Sequence, residues 1–169
     1  AVDGNAGNII AHIPGAFEGI PIAFFAHMDT VSTTAGVQPE IKDGVIRSSG
    51  NTILGADDRA GVAVMLEVAR LLEERKIPHG PISLVFTIAE EVGAGGATFL
   101  DTDWLSGKAV FVLDSHGKPG TMVNRTVACK IFSIGVQGKA AHAGVEPEKG
   151  VDAIHAASTA IARLELGRI

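Results

Sequence analysis

The sequence predicts an α/β fold, with a parallel-rich sheet flanked by helices, followed by the start of a second, α+β domain. Three apolar runs, at residues 19–27, 81–91 and 108–114, are typical of strands that are buried on both faces of a parallel sheet. A long helical pattern separates the first two runs, and strand–helix–strand alternation favours parallel pairing. The 169 residues are enough for one domain, or for one domain and part of another.

Local patterns predict the elements between these strands. Residues 38–50 hold Asp43-Gly44 between two short alternating runs, which indicates a β-hairpin. Residues 58–78 predict the clearest helix, and a short helix is expected over 96–101. The apolar face of the long helix is formed by Gly61, Val64, Met65, Val68, Leu71 and Leu72.

A second domain is expected after the third strand, because the pattern changes near residue 120. Residues 121–126 and 127–138 alternate as strands do, and residues 149–166 form an amphipathic helical pattern. We therefore predict a partial catalytic core over 1–124 and the first part of another domain over 125–169.

The composition argues against several classes of protein. The chain is 46% hydrophobic and 20% charged with a formal net charge of -5, so it has no concentrated basic face for nucleic acid. No apolar run approaches the roughly 20 residues that span a bilayer. The single cysteine, Cys129, excludes an internal disulfide and an all-cysteine metal site. A cytoplasmic protein without nucleic-acid or membrane partners is expected.

Acidic residues and a histidine follow the predicted strands or begin the long helix. Ligands of open α/β sheets lie beyond the carboxyl ends of the strands, so these segments are expected to converge there. Several close carboxylates need protons or cations, and a pair of divalent metal ions meets that need. A histidine among carboxylates suits Zn²⁺, Mn²⁺ or Co²⁺ better than Ca²⁺. The residues are His27, Asp29, Asp57, Asp58, Glu90, Glu91 and Asp114.

Taken singly, each segment also has an ordinary explanation. Asp57-Asp58 is the kind of pair that caps a helix, and Glu90-Glu91 is the kind that is solvated. A lone His27-x-Asp29 pattern is common by chance, and so is Asp114 at a strand end. Only their joint placement favours a metal site.

The motifs "AHMDTV", "LGADDRAG", "AEEVGAGGA" and "VLD" resemble, in order and spacing, those of the M20 family of cocatalytic zinc peptidases. Within that family they are most similar to the peptidase T-like (tripeptide aminopeptidase-like) branch. The M42 family shares part of this pattern, but it carries an inserted domain between the first histidine and the aspartate pair. Here His27 and Asp57 are only 30 positions apart, which leaves no room for such a domain and favours the M20 family.

The resemblance implies two divalent ions, most often zinc, in a zinc-peptidase-like core. It assigns His27 and Asp114 to one ion, Asp57 to both and Glu91 to the other. Glu90 would be the general base, and Asp29 would orient His27. The resemblance also implies a cis peptide bond after Asp57, with Asp58 as a neighbour rather than a ligand.

The second region, "GKAAHAGVEPEKGVDAI", resembles the start of the M20 lid, or dimerisation, domain. The resemblance implies a homodimer in which His142 reaches the partner's active site and assists catalysis there. The family has a further metal-binding histidine near its C-terminus, which this chain lacks, so the chain is expected to be a fragment. His116 is a weaker candidate for a substitute ligand.

The function expected from the resemblance is metal-dependent hydrolysis of short peptides by an aminopeptidase. An M20 carboxypeptidase or N-acyl amino acid deacylase is an alternative, although Asp114 favours the aminopeptidase type. A non-catalytic peptide-binding or dimerisation module on the same scaffold is another.

Overall fold

A computed structural model describes residues 4–105, 107–127 and 131–164 of the chain. The contacts between residues divide the chain into two compact units, Ala1–Met122 and Val123–Ile169. The identities predicted for the two domains, a partial catalytic core and the first part of a lid, stay predictions.

Unit 1 is a mixed sheet with helices. Its elements in chain order are β1 (Ile9–Ile13), β2 (Ile22–His27), β3 (Pro39–Lys42), β4 (Val45–Ser48), α1 (Ala56–Arg75), β5 (Ile82–Thr87), α2 (Gly95–Thr98), a 3-10 turn (Asp103–Leu105) and β6 (Ala109–Val112). The strand order is β1-β5-β2-β6. β2 pairs in parallel with β5 and β6, whereas β1 pairs with β5 in antiparallel fashion. The predicted α/β fold with a parallel-rich sheet is confirmed.

The hairpin and the long helix form where the local patterns predict them. β3 and β4 pair around Asp43 and Gly44, whose φ angles of 54° and 76° suit the tight turn that joins two strands. The helix ends at Arg75, two residues earlier than the end expected just before Pro78, because Lys76 adopts a left-handed conformation and donates its N–H to the Leu72 carbonyl.

The core of unit 1 lies where α1 packs against the sheet. Met65 of α1 is buried in one cluster with Ala26 of β2 and with Leu84 and Phe86 of β5. Val64, which was expected on the same apolar face, is 54% exposed. The long helix is thereby held behind the two central strands, with its first turn at their carboxyl ends.

Three parts of the sequence differ from expectation. β6, which was expected to be buried on both faces, is the edge strand of the sheet, and residues 110–112 are 41–63% exposed. β1 was not predicted, because Ile9 and Ile10 are adjacent apolar residues on a half-exposed edge strand and show no clean alternation. The strands expected over 121–138 are absent from the part that the structure describes, which leaves out residues 128–130 and with them Cys129.

Unit 2 contains one isolated antiparallel bridge, Lys139↔Val151, a 3-10 turn (Pro147–Lys149) and α3 (Ala153–Ile161). Asp152 caps α3 by accepting the N–H groups of Ile154 and His155. Among the described residues of both units, no helix combines the length and hydrophobicity that crossing a bilayer requires.

Candidate metal centre

His27 ends β2 and is buried, with 3% of its surface exposed. Its Nδ1 lies 2.9 Å from the backbone carbonyl of Asp29. A carbonyl only accepts hydrogen bonds, so Nδ1 carries the proton and Nε2 of the neutral ring keeps a free lone pair. The fold of residues 27–29 therefore prepares Nε2 as a ligand atom.

Carboxylates from three other segments surround Nε2 of His27. The distances are 3.3 Å to Oδ1 of Asp57, 3.8 Å to Oδ2 of Asp114 and 3.9 Å to Oε2 of Glu90. Asp57 lies at the start of α1, Glu90 follows β5 and Asp114 follows β6. The parallel pairing of β5, β2 and β6 explains the arrangement, since it brings their carboxyl ends to one edge.

Two groups of side chains have the geometry to hold a metal ion. One is His27, Asp57 and Asp114, and the other is His27, Glu90 and Glu91. In each group one ligand atom per residue lies within 4.8 Å of the others. Imidazole nitrogen and carboxylate oxygen together suit first-row divalent cations such as Zn²⁺.

An unsatisfied atom supports this fit. Oε1 of Glu91 is buried and has no hydrogen-bond partner among the described residues. A buried carboxylate oxygen without a donor is costly, and a bound cation would satisfy it. The residues present therefore fit a divalent metal.

Asp29 connects the strand end of β2 to the loop after β5. Its Oδ1 accepts the backbone N–H of Glu90 at 3.1 Å, and its Oδ2 accepts that of Glu91 at 3.2 Å. Burial alone would raise the pKa of Asp29, but these N–H groups outweigh it and lower the pKa. Asp29 thus stays ionised and holds both glutamates beside His27.

The remaining ionisable groups show how much negative charge gathers here. Burial opposes protonation of His27, but the Asp29 carbonyl and the carboxylates of Asp114, Asp29 and Glu90 raise its pKa overall. Burial and nearby carboxylates raise the pKa of Glu90, and burial and Asp57 raise the pKa of Asp114. The part of each shift that comes from neighbouring carboxylates reflects negative charge that a cation would relieve.

Asp58 supports the centre without belonging to either metal group. It is 3% exposed and follows a cis Asp57-Asp58 peptide bond. Its Oδ1 accepts the N–H of Gly61 at 3.2 Å. Burial, with repulsion from Asp114, raises the pKa of Asp58 to about 6.

Two other histidines were candidates for the site. His116 is exposed and belongs to neither metal group. His142 lies in unit 2, where its Nδ1 accepts the N–H of Gly144 at 3.2 Å. The role in catalysis that the resemblance gives His142 stays a prediction.

Asn8, which precedes β1, was not predicted as a site residue from the sequence. Its side chain bonds to the backbone of Ile88 and Gly96, on either side of the loop that carries Glu90 and Glu91. These partners are 80 and 88 positions away in the chain. No local pattern could have indicated this contact.

Comparisons with known proteins match the chain to a peptidase family and to an uncharacterized relative. The model of peptidase family M28 matches residues 8–156. The uncharacterized protein YqjE of Bacillus subtilis (strain 168) is 43% identical over 164 residues, covering 97% of this chain and 44% of YqjE.

Two solved structures resemble the chain closely. Aminopeptidase PepT from Bacillus cereus is 44% identical with a TM-score of 0.74, over 97% of this chain and 44% of PepT. A tripeptidase from Staphylococcus aureus is 38% identical with a TM-score of 0.79, over 95% of this chain and 43% of the tripeptidase. The chain thus spans less than half the length of each of these relatives.

Proposed function

The chain belongs to peptidase family M28, and from this premise we propose that the whole protein is a metal-dependent aminopeptidase that hydrolyses short peptides. The observation that carries the proposal is the convergence of one histidine and carboxylates from three other segments around Nε2 of His27. The similarity to an aminopeptidase and to a tripeptidase supports the substrate class.

The finer assignment is the peptidase T-like branch of the M20 family, which the four motifs resemble. The matching family model is that of M28, so this branch is a proposal. It is supported by the structure of aminopeptidase PepT, which is 44% identical to the chain.

We further propose that the centre holds two divalent ions, most often zinc, with manganese or cobalt as alternatives. His27 and Asp114 would hold one ion, Asp57 both and Glu91 the second. When bound, such ions lower the pKa of a coordinated water and polarise the peptide carbonyl. The unsatisfied Oε1 of Glu91 supports its assignment as a ligand.

Glu90 is the proposed general base. Its side chain is 43% exposed, so a substrate and a water molecule can reach it. The pKa of Glu90 is raised, which brings it closer to neutral pH. A general base that must accept a proton and then return it works best when its pKa lies near the working pH. Glu90 would take the proton of the attacking water and pass it to the leaving amine.

Two alternatives are separated by the products of hydrolysis. An M20-type carboxypeptidase would release the C-terminal residue of a tripeptide rather than the N-terminal one, and a deacylase would cleave N-acyl amino acids instead of tripeptides. A binding module would bind peptides without turnover, but the retention of Glu90 beside the proposed ligands disfavours it. A homodimer formed through unit 2 and a cytoplasmic location remain predictions.

The test compares Glu90→Gln with Glu18→Gln in the whole protein. Glu18 is exposed and belongs to neither metal group, so Glu18→Gln makes the same change in charge outside the proposed ligands. We expect Glu90→Gln to lower kcat on tripeptides by roughly 10²–10⁴-fold without loss of bound metal, and Glu18→Gln to leave both unchanged. Wild-type hydrolysis should stop on chelation and return with Zn²⁺ or Co²⁺. Hydrolysis that persists after chelation, or an active Glu90→Gln variant, would contradict the proposal.

A further inference from the structure

Three hydrogen bonds form a closed ring at the base of the loop that carries the two glutamates. Ile88 donates its N–H to Oδ1 of Asn8 at 3.2 Å, and Nδ2 of Asn8 donates to the carbonyl of Gly96 at 2.8 Å. Gly96 in turn donates its N–H to the carbonyl of Ile88 at 2.9 Å. The amide of Asn8 thus joins the two ends of residues 88–96.

Glu90 and Glu91 lie within this closed loop. The loop is held at its tip by Asp29, which accepts the N–H groups of both glutamates. It is held at its base by Asn8. We propose that Asn8 is a positioning residue, which sets where Glu90 and Glu91 stand relative to His27; this rests on the proposed function of those glutamates.

The Asn8 side chain bonds to Ile88 because the backbone hydrogen bonds between β1 and β5 do not extend to that residue. The antiparallel pairing of β1 and β5 begins at Ile9 opposite Phe86, so the N–H of Ile88 lies beyond the last ladder pair. Asn8 accepts this N–H and still has an NH₂ group for the Gly96 carbonyl. Among side chains of this length, only an amide offers an acceptor and a donor together.

The packing at Gly96 leaves no space for a side chain at that position. A Cβ on Gly96 would lie 2.3 Å from the Ile88 carbonyl oxygen and 2.5 Å from Oδ1 of Asn8. Real Cβ atoms do not approach oxygen so closely, so only glycine can occupy position 96 where the backbone passes Ile88 and Asn8. The two ends of the loop are therefore in close contact at Gly96, and we expect a change at Asn8 to move the loop.

The discriminating variant is Asn8→Asp, tested in the whole protein with its metal. It keeps the acceptor for Ile88 but replaces the NH₂ donor with an oxygen, which repels the Gly96 carbonyl across the 2.8 Å contact. Asn5→Asp makes the same change in charge at an exposed residue. A displacement of a reacting group by about 1 Å can lower a rate by about 10²-fold.

We expect Asn8→Asp to lower kcat on tripeptides by about 10-fold with KM changed by less than about 2-fold, since only the reacting groups move. Asn5→Asp should change neither value by more than about 2-fold. An Asn8→Asp variant with kcat within about 2-fold of wild type would overturn the proposal. An increase in KM with kcat unchanged would also overturn it, because misplacing the general base Glu90 should lower kcat.

Amide hydrogen exchange on the metal-free whole protein gives a readout that needs no activity. We expect the Glu90 and Glu91 amides to exchange at least about 10-fold faster in Asn8→Asp, with the amide of Phe25 in β2 unchanged. Unchanged exchange at the glutamates, or faster exchange throughout the sheet, would overturn the positioning role. If Asn8→Asp does not fold, Asn8→Ala removes both bonds without adding charge and is judged by the same criteria.

The two readouts separate this inference from the proposed function. If wild-type protein with metal hydrolyses no peptide, the proposed function fails, and the exchange experiment alone decides whether Asn8 positions the loop. If wild-type protein is active and exchange at the glutamates is unaffected by Asn8→Asp, only the positioning role fails.

Discussion

Replacing Asp29 with asparagine perturbs the contact between β2 and the loop of the two glutamates. The variant keeps the shape of the side chain but removes its charge and turns one oxygen into an NH₂ group. One of the two backbone N–H groups, at Glu90 or Glu91, would then face a donor instead of an acceptor. The other would keep a neutral and weaker hydrogen bond.

Two effects of opposite sign determine how much Asp29→Asn changes the free energy of unfolding. A hydrogen bond to a charged group contributes about 1.5–3 kcal/mol, and Asp29 makes two. The negative charge of Asp29 repels Glu90 and is one of the causes that raise the pKa of Glu90. Removing that charge relieves the repulsion. Because both side chains are partly exposed, such a charge–charge contribution is at most about 1 kcal/mol. Losing one charge-assisted bond and keeping the other as a neutral bond of about 0.5–1.5 kcal/mol costs about 2.5–4.5 kcal/mol. With the relieved repulsion subtracted, we expect Asp29→Asn to destabilise the metal-free protein by about 1.5–4.5 kcal/mol.

The assay is urea unfolding of the metal-free whole protein at pH 7, with Asp43→Asn as the control. Asp43 is exposed in the hairpin turn at a φ of 54°, a conformation that asparagine tolerates well. We expect a midpoint lower by about 0.5 M or more for Asp29→Asn and a change within about 0.2 M for Asp43→Asn. Equal midpoints for wild type and Asp29→Asn would refute the reasoning.

The dependence on pH provides a second check. The pKa of Asp29 is lowered in the folded protein, so its contribution is present above the unfolded pKa of about 4 and is lost as the pH falls through the folded pKa. The difference between wild type and Asp29→Asn should therefore narrow as the pH is lowered below about 4. A difference that stays constant over this range would show that the charge of Asp29 is not what stabilises the loop.

Two further predictions concern α1, measured by unfolding in urea. Met65→Ala should lower the free energy of unfolding by about 2–5 kcal/mol, because Met65 is only 1% exposed. Leu66→Ala, at the neighbouring position that is 57% exposed, should change it by no more than about 0.5 kcal/mol. Equal losses of stability in the two variants would contradict the observed orientation of the helix. Gly61→Ala should destabilise by about 1–3 kcal/mol, because its Cβ would lie 2.5 Å from Oδ1 of Asp58. In an open helix position the same change would stabilise by about 1 kcal/mol, so a stabilised variant would disprove the close packing against Asp58.

Much of unit 1 could be predicted from local patterns. The buried strands, the Asp43-Gly44 turn and the long helix each depend on residues that are neighbours in the chain, and periodicity and turn chemistry describe such contacts. The end of α1 was less predictable, since the left-handed conformation of Lys76 stops the helix before Pro78. The exposed edge strand β1 was missed because Ile9 and Ile10 show no clean alternation, and only its pairing with β5, more than 60 positions away, shows that it is a strand.

The sequence by itself determined the chemistry of the candidate centre: a histidine and acids at strand ends, in motifs that resemble a peptidase family. Only the tertiary structure decided which atoms meet. It set the free Nε2 of His27 among three carboxylates, aimed the Asp29 oxygens at two backbone N–H groups, and closed the glutamate loop with Asn8. The physical reason is that a side chain's type is local, whereas its hydrogen-bond partners are fixed by strands that pair across long stretches of chain.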